Sequence, residues 1–130
     1  AGFSDYLEDK VLDHVFGGSA YTAPGTLYVG LYTAAPSDSG GGTEVSGGSY
    51  ARKSMAAMTV SGTSPTEATN GAAVEFVTAT GSWGTVTHVG VFDAASSGNL
   101  MAWAALTASK TVSSGDVFRF DAGDLDITLA

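Results

Sequence analysis

Cysteine is absent from this sequence, which excludes disulfides and thiolate metal sites and leaves the redox environment unspecified. Basic residues are scarce. Lys10, Arg52, Lys53, Lys110 and Arg119 stand against thirteen Asp and Glu, for a formal net charge of -8. Phosphate backbones are held by clusters of Lys and Arg that release counterions, and only Arg52 and Lys53 are adjacent here. Neither nucleic acid nor an anionic membrane is therefore expected as a partner. No apolar run approaches the roughly 18–20 residues that span a bilayer, and no charged-then-apolar leader pattern opens the chain. The acidity bears on solubility rather than on fold, and a soluble protein is expected.

What is present fits one folded domain. Hydrophobic residues make up 44% and charged residues 14% of 130 positions, the reverse of the balance in disordered chains. Eighteen glycines, with abundant Ser, Thr and Ala, suit short strands joined by many turns. The segment from Phe3 to Phe16 reads as the one good helix. Phe3, Leu7, Val11 and Val15 recur every four residues, and Leu12 and Phe16 widen the stripe. Ser4 is the expected N-cap, and Asp5, Glu8 and Asp9 favour the positive end of the helix dipole. His14 lies in the last turn, and Gly17-Gly18 supplies the stop. Leu7, Val11 and Val15 are expected to face the rest of the domain or a neighbouring subunit.

Beyond Gly18 the period changes to two. Leu27, Val29 and Leu31 alternate with Tyr28, Gly30 and Tyr32. Tyr50 to Val60 is a longer, weaker strand candidate, and Ala72 to Thr78 a short one with Val74 and Phe76 on one face. Thr85 to Asp93 carries Val89 and Val91 on one face, Val86 and Phe92 on the other. Leu100 to Leu106, Val117 to Asp121 and the closing Leu125, Ile127 and Leu129 complete the set. Turn chemistry separates these runs: Pro65 and Asn70-Gly71, then Ser96 to Asn99, Ser113 to Asp116 and Ala122 to Asp124. About seven closely spaced strands predict an all-β, jelly-roll-like β-sandwich with one N-terminal α-helix. Residues 1–18 would form the helix, packed on the sandwich or swapped between subunits, and residues 19–130 the β-sandwich. Ser37 to Gly48, rich in Gly and Ser, is expected to be a long mobile loop. Its Glu44 and Val45 would be its contacts if it folds against a partner; a passive solvent loop is the alternative.

The chemical motifs are thin. Gly40-Gly41-Gly42-Thr43 lacks the Lys and the strand-loop-helix setting of a phosphate loop. Ser, His and Asp occur without a nucleophile elbow. His14 reads as a cation near a helix end, and His88 as part of a packed strand face with Val86, Gly90 and Phe92. Asp116, Asp121, Asp124 and Asp126 could hold a calcium ion, but without EF-hand spacing they are also ordinary turn residues. Trp83, Trp103, Tyr21, Tyr28, Tyr32 and Tyr50 could form a sugar platform or serve as core and interface anchors. No enzyme activity, cofactor or metal is expected. One feature exceeds a bland domain: Leu27–Tyr32, Val86–Phe92 and Leu100–Leu106 are apolar on both faces. A second covering is needed, and one helix can supply only part of it. A homo-oligomer, most simply a trimer, is expected, with Leu7, Val11, Tyr28, Tyr32, Glu44, Val45, His88, Phe92 and Trp103 as candidate interface residues.

Two long stretches carry a resemblance. The opening "GFSDYLEDKVLDHVFGGSAYTAPGTLYVGLYTAAPSDSGGGTEVSGGSYAR" and the later "AVEFVTATGSWGTVTHVGVFDAASSGNLMAWAALTASKTVSSGDVFRFDAGDLDITL" resemble a family of small tailed-bacteriophage virion proteins. Members are commonly labelled tail-fibre proteins; some small β-sandwich virion proteins of this size are head decoration, or cement, proteins. The resemblance implies a structural protein of the virion, made in the host bacterial cytoplasm, and carries no catalytic motif. Because the chain has no long repetitive shaft, a capsid decoration protein bound to the major capsid protein is the first expectation. A tail-fibre or tail-adaptor component contacting other virion proteins, with possible carbohydrate binding, is the alternative.

Overall fold

The computed structural model describes residues 2–129. Its main sheet is antiparallel throughout. β1 (Gly2–Phe3) pairs β9 (Leu100–Val112), which pairs β8 (Gly84–Phe92), which pairs β2 (Leu27–Ala34). The far edge of β2 is shared by two short strands, β3 (Thr43–Glu44) at one end and β4 (Lys53–Met55) at the other. Two smaller antiparallel sheets complete the fold: β7 (Val74–Glu75) with β10 (Arg119–Phe120), and β11 (Asp126–Leu129) with β6 (Thr66–Thr69) and β5 (Thr59–Ser61). The architecture is the expected all-β sandwich type with a single short helix.

The core lies on one face of the main sheet. Period-two alternation sends Val29, Leu31, Val89 and Val91 to that face, where Val74, Phe76, Phe118, Phe120 and Leu125 pack against them; Val86, expected on the opposite face with Phe92, joins this core because the strand register shifts between Val86 and His88. Aromatic rings interlock edge to face there. Trp83 meets Tyr50 with centroids 5.3 Å apart, and Phe76 meets Phe118 at 5.9 Å. Trp83 is thus a core residue, its indole N–H donating to the Gly48 carbonyl at 2.9 Å.

Several boundaries differ from the sequence reading: the strands expected at Val117–Asp121 and Ala72–Thr78 are only Arg119–Phe120 and Val74–Glu75, and β6 lies in the stretch read as turn before Asn70. The Tyr50–Val60 stretch is divided into β4 and β5, which belong to different sheets. β9 runs past Leu106 to Val112, with a kink. Val86 pairs Lys110 and His88 pairs Ala105, so Thr87 alone faces the four residues 106–109 of β9. The helix is shorter than expected: α1 covers Asp5–Leu12 and continues as one wide π turn over Asp13–Gly17. Phe3 belongs to β1, paired with Ala102. Ser4 caps α1 as expected, its hydroxyl accepting from the Leu7 N–H at 3.2 Å and donating to the Leu100 carbonyl. Gly18 ends it at φ 77, where a glycine bears the left-handed conformation without strain.

The apolar stripe of the helix is only half used. Leu7 and Val11 are half-buried, whereas Leu12, Val15 and Phe16 are 59, 60 and 81% exposed. The expectation that Val15 faces the domain is therefore not met within this chain.

One buried polar residue ties the small sheets together. Asn70 donates from Nδ2 to the carbonyls of Ala72 and Asp121, both at 2.9 Å. Its Oδ1 accepts from the N–H groups of Gly123 and Leu125 at 3.1 and 2.9 Å. The amide is thus fully satisfied in the interior. Asn70→Ala orphans these backbone groups and should cost at least about 1–3 kcal/mol. The check is urea unfolding, with a lower midpoint and an unchanged slope.

Candidate functional site

The aromatic residues singled out from the sequence do converge. On the face of the main sheet opposite the core, Tyr28 pairs Phe92, Tyr32 pairs His88, and Gly30 pairs Gly90, which in turn pairs Trp103. The two glycines make a shallow row into which rings can lie. A Cβ on Gly30 would stand 2.7 Å from the Phe92 ring and 2.9 Å from the Glu44 carboxylate; one on Gly90 would stand 3.0 Å from the Tyr32 ring. Phe92 and Tyr32 stack with centroids 6.1 Å apart.

Most of this face is covered by the chain itself. The Arg52 guanidinium lies 3.5 Å from the centroid of Phe92. It forms a bidentate pair with Glu44, Nε to Oε2 and Nη2 to Oε1, each 2.9 Å. Its Nη1 donates to the carbonyls of Ala94 and Ser97 in the β8–β9 turn, at 2.9 and 2.8 Å. The Tyr50 hydroxyl donates to Glu44 Oε2 at 2.7 Å and accepts from the Leu31 N–H at 2.9 Å. That contact fills the gap between β3 and β4, where β2 would otherwise show a bare donor. Val45 serves the same gap, its N–H donating to the Leu31 carbonyl at 2.9 Å.

Glu44 and Val45 are therefore not free loop contacts. Val45 is buried in the core, and Glu44 is held by Arg52 and Tyr50. The expectation of a mobile Ser37–Gly48 loop gives way to a segment anchored along its length. Ser37 and Gly40 bridge each other, the Asp38 carbonyl accepts from the Asp5 N–H at 2.8 Å, and Asp38 Oδ1 accepts from the Trp103 indole at 2.8 Å. Composition hides these anchors because each is a single side chain among glycines and serines. Arg52 and Tyr50, which organise the site, carry no motif; only their adjacency to an acidic loop hints at a pairing.

The electrostatics follow from this enclosure. Burial pushes the Tyr50 hydroxyl far above the usual tyrosine range, and its hydrogen bond to Glu44 adds to the shift. Tyr32 is raised by burial, then by the Glu44 charge. Burial works against the Arg52 charge, but Glu44 outweighs it and the pKa is raised. His88 bonds the Thr87 hydroxyl through Nδ1 at 2.8 Å and leans on Trp103 at 6.0 Å. His14 accepts from the Tyr21 N–H at 3.0 Å.

No metal-holding group of three or more His, Asp and Glu occurs among the described residues. The Asp-rich C-terminal turns use their carboxylates locally. Asp116 accepts from the Ser113 N–H and Asp124 from the Asp121 N–H, while Asp121 pairs Arg119.

Two concavities flank the sheet. A cleft of about 520 Å³ opens between the start of α1, the Ser37–Gly41 loop and Arg52. A larger groove of about 710 Å³ runs between β9 and β11, floored by Met58, Ala104, Leu106, Phe118, Leu125 and Ile127.

Tyr50→Phe removes the acceptor of the Leu31 N–H and should cost about 1–3 kcal/mol near neutral pH. Its pH signature is specific. A raised folded-state pKa contributes stability that is complete below the unfolded value near 10 and is lost as pH rises beyond it. Wild type should lose stability steadily above pH 10, and Tyr50→Phe should lose less over the same interval, as read by urea unfolding across that range.

No curated protein sequence matches the chain. A family model described as podophage GP4 fiber I protein gp80 matches residues 2–128, the helix, all three sheets and the network around Arg52 together. The chain belongs to this family of tailed-phage fibre proteins.

Proposed function

We propose that the protein is a non-enzymatic structural component of a tailed-phage fibre, working in the virion as a homo-oligomer that contacts other virion proteins. The observation that carries this reading is the family match over residues 2–128, which takes in the whole described fold. It favours the fibre alternative over capsid decoration. The chemistry of the chain agrees. Its polar clusters, Glu44–Arg52–Tyr50 and Asn70, are satisfied internally and hold segments in place. Exposed apolar side chains gather at the helix end, as Leu12, Val15 and Phe16, and on the small sheet, as Val60 and Leu129. Apolar clusters left on a surface serve contact with another protein.

The reading is tested by tagging the protein and imaging the particles by electron microscopy. Label should lie at the tail. Label distributed over the head lattice would restore the decoration reading, and label absent from particles would remove both.

A further inference from the structure

Asn70 is followed by Gly71, and the fibre reading makes no use of the chemistry of that pair. The sequence holds two asparagines, Asn70 and Asn99, and no glutamine. An asparagine loses its side-chain amide when the next backbone nitrogen attacks its Cγ. Glycine in the next position favours this, because no side chain hinders the nitrogen and the backbone reaches the required conformation freely. Asn99 is followed by Leu100, whose branched side chain crowds the same nitrogen.

The native fold withholds the reactive geometry. Asn70 is 2% exposed. Its carboxamide is held at both ends, by the carbonyls of Ala72 and Asp121 and by the N–H groups of Gly123 and Leu125. Three of these four partners lie in the C-terminal turn, more than fifty residues along the chain. The Asn70 backbone is tied to the same turn. Its N–H donates to the Leu125 carbonyl at 3.3 Å, and its carbonyl accepts from the Gly123 N–H at 2.9 Å. Cγ therefore meets the Gly71 nitrogen only after the turn has come away, not by a side-chain rotation in place.

The products do not fit back. An aspartate at position 70 has no N–H to offer the Ala72 and Asp121 carbonyls. An oxygen in the place of Nδ2 would stand against two carbonyl oxygens, away from water. An isoaspartate adds a methylene to the main chain and moves the carboxylate off the site.

We propose that Asn70-Gly71 is a spontaneous deamidation site that the native fold keeps unreacted, and whose reaction, once the fold opens, bars return to the same native state. The Gly71 nitrogen bonds to Asn70 Cγ, the Cγ–Nδ2 bond breaks, and ammonia leaves with the proton from the Gly71 N–H. Water then opens the resulting five-membered imide at either carbonyl, giving aspartate or isoaspartate. No oxidant or reductant takes part. A chain altered in this way is withdrawn from the folding equilibrium. The inference is independent of what the protein contacts in the virion.

The test holds wild type in mildly alkaline buffer with and without unfolding concentrations of guanidinium chloride, and follows its mass. The unfolded chain should gain one mass unit, mapped by peptide digestion to Asn70. The native chain should gain it at least about a hundredfold more slowly, because only the small opened fraction reacts. Unfolded Gly71→Ala should react at least about tenfold more slowly than unfolded wild type, since a Cβ narrows the backbone conformations that bring the nitrogen to Cγ. That comparison is made in the unfolded state, so it does not depend on how the variant folds. After the denaturant is removed, the shifted molecules, separated by their extra negative charge, should unfold at a clearly lower denaturant concentration than the unshifted ones. A gain at Asn99 alone, no gain in the unfolded chain, or equal rates in native and unfolded protein overturns the proposal. So does an unchanged rate in Gly71→Ala, or a shifted fraction that unfolds at the wild-type midpoint.

Discussion

The ion pair between Glu44 and Arg52 is the contact on which the outer half of the main sheet depends. β2 pairs β8 along one edge, but along the other it is served by β3 and β4, each only two or three residues long. Strands that short do not hold themselves in place. Arg52 makes them one unit. It grips Glu44 on β3 from just ahead of β4, and its remaining N–H groups reach the β8–β9 turn. Tyr50 completes the seam by bonding both Glu44 and Leu31. The pair is largely withdrawn from water, with side chains 9 and 26% exposed. Deleting one partner should therefore cost well above a surface pair, approaching the ~3–5 kcal/mol of a broken buried one.

The same network changes the physical basis for assembly. Alternation along β2 and β8 calls for something to cover the second sheet face, and a neighbouring subunit is the simplest answer from sequence alone. In the structure that face is closed from within. The Gly30–Gly90 row admits the Phe92 and Tyr32 rings, Arg52 lies over Phe92, and Asp38 draws the preceding loop onto Trp103. The apolar surface left over sits elsewhere, on the helix end and around the β9–β11 groove. The argument for an oligomer thus rests on different residues from those that first suggested it.

Regular periodicity made the long strands, the single helix and the core legible in the sequence. Val29, Leu31, Val89 and Val91 alternate cleanly, and the Ser4 cap announces its helix. The aromatic face was also legible, because Tyr28, Tyr32, His88, Phe92 and Trp103 each hold a defined parity on their strands. What could not be read were interactions fixed by tertiary proximity. Glu44 lies in a glycine-rich stretch with the composition of a loose loop, yet its partner is eight residues on and bound to a turn more than forty residues away. Asn70 looked like turn chemistry, but its bonds to Asp121, Gly123 and Leu125 require the C-terminal turn beside it. Val15 keeps the helical spacing of Leu7 and Val11 yet stays exposed, and no residue announces the π turn that carries it.

The most direct measurement is a double-mutant cycle on Glu44 and Arg52. Stability is determined for wild type, Glu44→Gln, Arg52→Gln and the double variant by urea unfolding. Each single change should be strongly destabilising, and the double variant should lose clearly less than their sum, with a coupling of about 2–3 kcal/mol. Effects that add to within about 0.5 kcal/mol would show that the two residues act separately, and would contradict the account of how this sheet is held.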